Sequence, residues 1–392
     1  MSNSRSRQPL SLHTRAVHTQ AAGPRIEGAA VTPIFMCTVF ETDPAHPDSP
    51  DSPIRYPRLS NLPNHELVHR KLCDLEGGDA AIVTASGMAA ISTAVLALAA
   101  DAHILVQDTL YGGTHGFFVQ HAADLGVSWD FIDADKPNTW RKKLRPDTRA
   151  IYTETLSNPL LEVADHRAIV AFAREHGLVS MVDNTLASPV NFRPPELGYD
   201  VSVHSATKYL NGHSDLLAGA CIGRSEPLQR IRRRLEFLGG TLDPHACFLL
   251  DRGIKTLPLR MAQHNANGMA VATFLADHPT VARVHYPGLP THPHHQRARD
   301  LFLACGGVVS LDLKAGRPAA QRLMRRLHLF APTPSLGGVE SLITIPATTS
   351  HRNLTSPQRE QVGVGPGLVR LALGIEAAED LIADLDQALC AD

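Results

Sequence analysis

Lys208 is the residue whose surroundings most call for chemistry. It lies four residues beyond the apolar run Asp200–His204, with hydroxyls at Ser205 and Thr207 and polar groups from Asn211 to Ser214. Desolvating an ammonium beside a buried strand is costly unless the amine is used or paired. One use is a Schiff base, in which the amine is joined to an aldehyde and carries no full ammonium charge. Active sites of open α/β sheets lie at the carboxyl ends of strands, and three further strand ends carry useful groups. Thr84-Ala85-Ser86-Gly87-Met88 joins a strand to a helix, where backbone N–H groups and the positive dipole end suit a phosphate. Taken alone, its Ser-Gly pair is also an ordinary turn and cap. Met181-Val182-Asp183-Asn184-Thr185 ends an apolar strand in an acid, which alone reads as a helix cap or turn aspartate. Tyr152 to Pro159 places Asn158 in a turn beyond a fourth strand. Together these groups suit a phosphorylated aldehyde: phosphate at a helix start, lysine on the aldehyde, acid on a ring nitrogen.

The elements that must hold these groups alternate. Ala80–Thr84, His103–Gln107, Val127–Ile132, Ala150–Thr153, Leu178–Val182 and Asp200–His204 read as strands. Asn64–Leu75, Gly87–Ala99 and His166–His176 read as helices, the last stopped by Gly177. This alternation predicts βαβ units and a mostly parallel sheet with helices on both faces. Ser49 to Pro63 is proline-rich and reads as an irregular arm or loop. From about Arg252 onward longer helices dominate, which places a boundary near residue 250.

Composition narrows the class. A chain of 392 residues, 43% hydrophobic and 19% charged, can bury a sizeable core and is too long for one ordinary domain. Lys plus Arg (37) nearly balances Asp plus Glu (39), so nothing favours a nucleic-acid partner. The most apolar run, Ala89–Ala100, is well short of the roughly 18 residues a membrane span needs. Six scattered cysteines without a C-x-x-C pair predict reduced thiols in a cytoplasmic protein. The first 26 residues contain Arg5, Arg7, Arg15 and Arg25 but no acid, superficially like a transit peptide; a flexible arm is the expectation.

Asp200 through Ser214 resembles the pyridoxal-phosphate attachment signature of the cystathionine γ-synthase, cystathionine γ-lyase and methionine γ-lyase group. Thr14-Arg15-Ala16-Val17-His18, Leu75-Glu76-Gly77-Gly78, Arg252 to Leu257, Ser335-Leu336-Gly337-Gly338 and Leu368-Val369-Arg370-Leu371 extend the resemblance in the family's order. It implies the PLP-dependent transferase fold type I, an α/β fold with a mostly parallel sheet flanked by helices. It also implies an arm (1–60) reaching a neighbour's site, a large PLP-binding domain (61–250) and a smaller α/β C-terminal domain (251–392).

The resemblance carries roles with it. Lys208 holds the cofactor and moves protons, and Asp183 pairs with the pyridine nitrogen, keeping the ring an electron sink. Ser86, Gly87, Met88, Ser205 and Thr207 hold the phosphate. Tyr111, in Leu110-Tyr111-Gly112-Gly113, stacks on the ring and can protonate a leaving group. Tyr56 and Arg58 reach the phosphate of a neighbouring subunit, which implies a homo-oligomer, expected to be a tetramer. Arg370 binds the substrate α-carboxylate, supported by Ser335 and Asn158.

Leu336 stands where β-lyases of the group tend to carry tryptophan, which implies γ-elimination or γ-replacement; the alternative is a cystathionine β-lyase. Members that recognise cystathionine commonly carry glutamates at the positions of Arg55 and Pro334. Arg55 is therefore a candidate substrate-binding residue of reversed charge, unless it pairs with an acid such as Asp51, and cystathionine is not the expected best substrate. His292-Pro293-His294-His295 reads as a surface loop, and no metal is expected.

Overall fold

The computed structural model describes residues 10–19, 25–42, 54–349, 352, 355, 359 and 362–390. Its first sheet holds β1 (Ala80–Thr84), β2 (Ala102–Gln107), β3 (Val127–Ile132), β4 (Thr148–Glu154), β5 (Val179–Asp183), β6 (Val201–His204) and β7 (Gly219–Gly223). The order is β1-β7-β6-β5-β4-β2-β3, and only β7 runs against the rest. The mostly parallel sheet expected from strand–helix alternation is present.

β7 escapes the sequence pattern, because Gly-Ala-Cys-Ile-Gly is short and its glycines read as turn residues. Here they are needed for close approach. A Cβ on Gly219 would stand 2.1 Å from the Ser86 carbonyl oxygen, and one on Gly223 would stand 2.0 Å from that of Asp200.

Helices cover both faces, so the inner strands are apolar almost throughout. The helix Gly87–Ala99 packs Ile91, Ala94, Val95 and Leu98 against Ile104, Val106, Ala150 and Val203 on one face. The helix His166–Glu175 packs Ile169, Val170 and Ala173 against Leu105, Ile151 and Val182 on the other. Asp165 caps its start by accepting the Ala168 N–H, and Gly177, at φ 63°, lets the chain turn away at its end.

A second, smaller sheet has the order β10-β11-β12-β9-β8, built from β8 (Val281–His285), β9 (Val308–Leu313), β10 (Ala331–Pro332), β11 (Leu342–Thr344) and β12 (Leu368–Ala372). The 21-residue helix Leu257–Asp277 packs on it.

Two local expectations change. Pro63, read as part of a loop, is instead the first residue of the helix Pro63–Glu76, a position where its missing N–H costs nothing. His292 is buried rather than on a surface loop, and His294 Nδ1 accepts the Val163 N–H, so this run packs against the chain. Within the segment expected to form the arm, Leu12–Val17 is a short helix, with Ala16 fully buried and His18 at its C-terminal end. Residues 49–53, Arg5 and Arg7 lie outside the described residues.

Candidate active site

The parallel strands all end on one edge of the first sheet, and a cavity of about 570 Å³ opens there. Ser86, Gly87, Met88, Tyr111, Asn158, Asp183, Ser205, Thr207, Lys208, Ser335 and Arg370 all line it. Of the residues singled out in the sequence, only Arg55, Tyr56 and Arg58 stand elsewhere.

Lys208 is half-buried and its Nζ donates to Ser335 Oγ at 2.7 Å. Burial, reinforced by the Arg370 charge, lowers the amine from 10.5 to about 8. A lowered value raises the neutral, nucleophilic fraction near neutrality. Capture of added pyridoxal phosphate by the unloaded protein should therefore rise with pH to a half-maximum near 8; a midpoint near the ordinary lysine value of 10.5 would contradict this environment.

Ser335 holds the amine from an unusual backbone. Its φ of 124° is rare for a residue with a Cβ and costs on the order of 1–3 kcal/mol. Next to it Gly337 approaches Tyr209 so closely that a Cβ would lie 2.7 Å from the Tyr209 nitrogen. The loop is thus pressed onto the turn that carries Lys208.

The opposite wall is the start of the helix Gly87–Ala99. Ser86 Oγ accepts the Ala89 N–H, leaving the N–H groups of Gly87 and Met88 as orphan donors of the first turn. A Cβ on Gly87 would stand 2.8 Å from Ser205 Cβ, so only glycine lets the Ser205 hydroxyl and the helix start share one cradle. The Thr207 hydroxyl donates to the Ala218 carbonyl (3.2 Å) and accepts its N–H (2.9 Å), so its proton is already committed to that turn.

Asp183 ends β5 facing the cavity. Burial pushes its carboxyl up, while the Thr185 hydroxyl and N–H, nearby His204 and the Tyr152 hydroxyl pull it down. Behind it, Glu76 Oε1 accepts from Asn184 (2.9 Å), Ser202 (2.6 Å) and His204 (2.9 Å), a buried polar block that fixes the strand ends. Arg370 lies in mid-β12, buried to 5% exposure, without a carboxylate partner among the described residues. Its guanidinium donates to Asn158 Oδ1 (3.0 Å) and the Ser335 carbonyl (2.8 Å), and its buried Nε has no partner. Such an uncompensated cation suits an incoming carboxylate. These groups fit a phosphorylated pyridine aldehyde: orphan N–H groups to donate to the phosphate, an amine for the aldehyde and a carboxylate to accept from the protonated ring nitrogen.

Arg55 donates to Glu66 Oε1 (3.2 Å) and the Asn61 carbonyl (2.7 Å); its acid partner is Glu66, near the start of the adjoining helix, and Asp51 lies outside the described residues. Arg58 donates to the Glu236 carbonyl at 2.6 Å, beside the Tyr56 ring. Glu154, Thr185, Thr348 and Arg352 also line the cavity and were missed. Glu154 ends β4 as Asp183 ends β5, so the reasoning that found one acid applies equally to the other. The trio His278, Asp386 and Cys390 offers atoms close enough to share an ion. Asp386 and Cys390 are exposed, and groups of this kind commonly meet at a surface without an ion, so the trio carries no site.

The family model for "Cys/Met metabolism PLP-dependent enzyme" matches residues 13–390. The chain is 38% identical over 388 residues to an L-methionine gamma-lyase of Porphyromonas gingivalis, covering 96% of each. It is 37% identical over 382 residues to a cystathionine beta-lyase of Coxiella burnetii, covering 96% of this chain and 97% of the relative. It is 38% identical over 379 residues to a cystathionine gamma-lyase of Sus scrofa, covering 96% and 93%.

Proposed function

The chain belongs to the Cys/Met metabolism PLP-dependent enzymes, a family of carbon–sulfur lyases, and from that premise we propose that it performs γ-elimination or γ-replacement on a γ-substituted L-amino acid, with cystathionine not its best substrate. One observation supports the substrate choice above others. Glu154 and Asp183 are the only carboxylates among the described residues lining the cavity, and both end strands of the first sheet. The rest of the wall includes Leu217, Pro334, Leu336, Thr348 and Arg352. A distal ammonium such as that of cystathionine meets no acid of the described residues in that part of the wall, and Arg352 repels it. Losing a charge-assisted contact costs about 1.5–3 kcal/mol. A small or anionic γ substituent avoids that cost.

Pyridoxal phosphate, when bound, supplies the electron sink that makes the substrate Cα acidic. Arg370 and Asn158 fix the α-carboxylate. Lys208, steadied by Ser335, removes the Cα proton and then a Cβ proton. Tyr111 stands half-exposed at the cavity, where a proton is needed by the departing γ atom. A γ-substituted amino acid and water then give 2-oxobutyrate, ammonia and the protonated leaving group; capture by a thiol gives replacement.

The test is a panel of γ-substituted amino acids, cystathionine included, assayed for 2-oxobutyrate and pyruvate. Cystathionine having the highest kcat/KM would sink the substrate reading, and pyruvate as its main product would install the β-lyase reading instead.

Assembly follows from the arm. Arg55, Tyr56 and Arg58 lie outside their own chain's cavity, and Val31, Met36, Val39 and Ile54 are exposed beside them in sequence. These observations support sites shared between copies in a homotetramer, with the arm at 1–60 and domains at 61–250 and 251–392. Mixed oligomers of Lys208→Ala and Arg58→Ala chains are then expected to regain activity through hybrid sites, and none regained in proven mixtures argues against sharing. The six cysteines, all unpaired, support a cytoplasmic place of action. Among the described residues no helix is long and apolar enough to cross a membrane.

A further inference from the structure

Glu154 is a buried carboxylic acid in the cavity wall to which neither the family roles nor the proposed mechanism gives a task. In the parallel pairing of β4 with β5 it stands opposite Asp183, so both side chains leave the sheet on the same face at neighbouring positions. Two carboxylates so placed in a low-dielectric wall do not both ionise; one keeps a proton.

Hydrogen-bond donors decide which. Asp183 receives the Thr185 N–H at 2.9 Å and the Thr185 hydroxyl, with the Tyr152 hydroxyl at 3.5 Å. Glu154 receives one donor, the Tyr111 N–H, at 2.7 Å on Oε1. The Glu154 backbone N–H is taken by Gln107 Oε1 at 2.9 Å. No cation among the described residues forms an ion pair with the Glu154 carboxyl. Lys208 and Arg370 share the cavity but spend their bonds on Ser335 and Asn158.

We infer that Glu154 is a positioning residue held as the neutral acid, whose carbonyl oxygen anchors the Tyr111 backbone while the negative charge of the pair stays on Asp183. Burial and the Asp183 charge both push the Glu154 carboxyl well above its ordinary range, in agreement with this assignment. Two consequences follow. The ring nitrogen of the cofactor meets one anion rather than two. The start of the helix Gly112–Phe117, and with it the Tyr111 ring, is fixed by an uncharged contact that is indifferent to pH near neutrality.

The holoenzyme with bound pyridoxal phosphate provides the test, because its visible absorption reports the cofactor's surroundings independently of turnover. Glu154→Gln keeps a carbonyl acceptor and no charge. It is expected to move the pH midpoint of that absorption by less than about one unit and to leave cofactor affinity within about threefold. Infrared difference spectra of wild type against E154Q at neutral pH should show the C=O stretch of a protonated carboxyl in wild type only. Glu154→Ala removes the acceptor of the Tyr111 N–H and should weaken cofactor binding about tenfold. A shift of about one unit or more in E154Q, or a difference spectrum without that stretch, means that Glu154 is charged and overturns the assignment. Equal cofactor affinity in E154A and E154Q overturns the anchoring. E154Q adds no cavity and no charge, so the charge test does not depend on whether E154A folds.

Discussion

Alanine in place of Lys208 should leave a folded protein with activity lowered by about 10⁴-fold or more, since general acid–base catalysis alone contributes about 10²–10⁴ and covalent attachment is lost with it. The side chain makes one polar contact, with Ser335, and stands in the field of Arg370, so its removal takes away a like charge rather than a packing element. Thermal stability of the unloaded protein is therefore expected to hold, and its visible absorption after incubation with pyridoxal phosphate to vanish. Lys208→Arg separates the roles: it keeps a cation of similar length but presents a guanidinium that is always protonated. It should be as inactive as alanine, and activity within about tenfold of wild type in either variant would remove Lys208 from the chemistry.

The second large effect is expected at Arg370. Two charge-assisted hydrogen bonds to a substrate carboxylate are worth about 3–6 kcal/mol together. Arg370→Met should accordingly lower kcat/KM by about 10²–10⁴-fold. Its effect on stability should have the opposite sign from an ordinary core substitution. The Arg370 side chain leaves β12 between its register partners Thr344 and Ser310, its hydrogen bonds among the described residues go to neutral groups, and burial lowers its pKa to about 10. Replacing an uncompensated buried charge by an apolar chain of similar volume is neutral or stabilising. Losing the cation also relieves the amine of Lys208, whose pKa should rise above 8, moving the pH midpoint of cofactor capture upward. A stability loss typical of a core deletion, with unchanged kcat/KM, would make Arg370 a structural residue.

Lys208, Asp183, Asn158 and the Ser86–Met88 turn were legible because each interrupts or ends an apolar run with a group whose burial needs a reason. The helix Gly87–Ala99 was legible for a related cause: it is apolar almost all round and begins at a capping serine. Three features were not. β7 hides behind its glycines, which close backbone contacts with Ser86 and Asp200 require and no local pattern announces. The positive φ of Ser335 accompanies the close approach of Gly337 to Tyr209, more than a hundred residues away in sequence, which no local pattern announces. The pairing of Arg55 with Glu66 depends on where the chain turns between Tyr56 and Pro63. Glu154 was hidden differently: its type and position were visible, but its meaning comes from strand register, which sets it beside Asp183.

Arg370 belongs to the second sheet, while Asp183 and Lys208 stand at strand ends of the first. A molecule held by its α-carboxylate at one and by its amine at the other is therefore a strut between two separately hydrogen-bonded bodies. Without it, the sheets are joined around the cavity by the Arg370–Asn158 and Lys208–Ser335 contacts, by Ser310 donating to the Pro159 carbonyl and by the Gly307 N–H donating to the Tyr209 hydroxyl. A non-reactive amino acid that spans the gap should raise the unfolding temperature by mass action. Occupancy of the site then becomes a mechanical property of the whole chain.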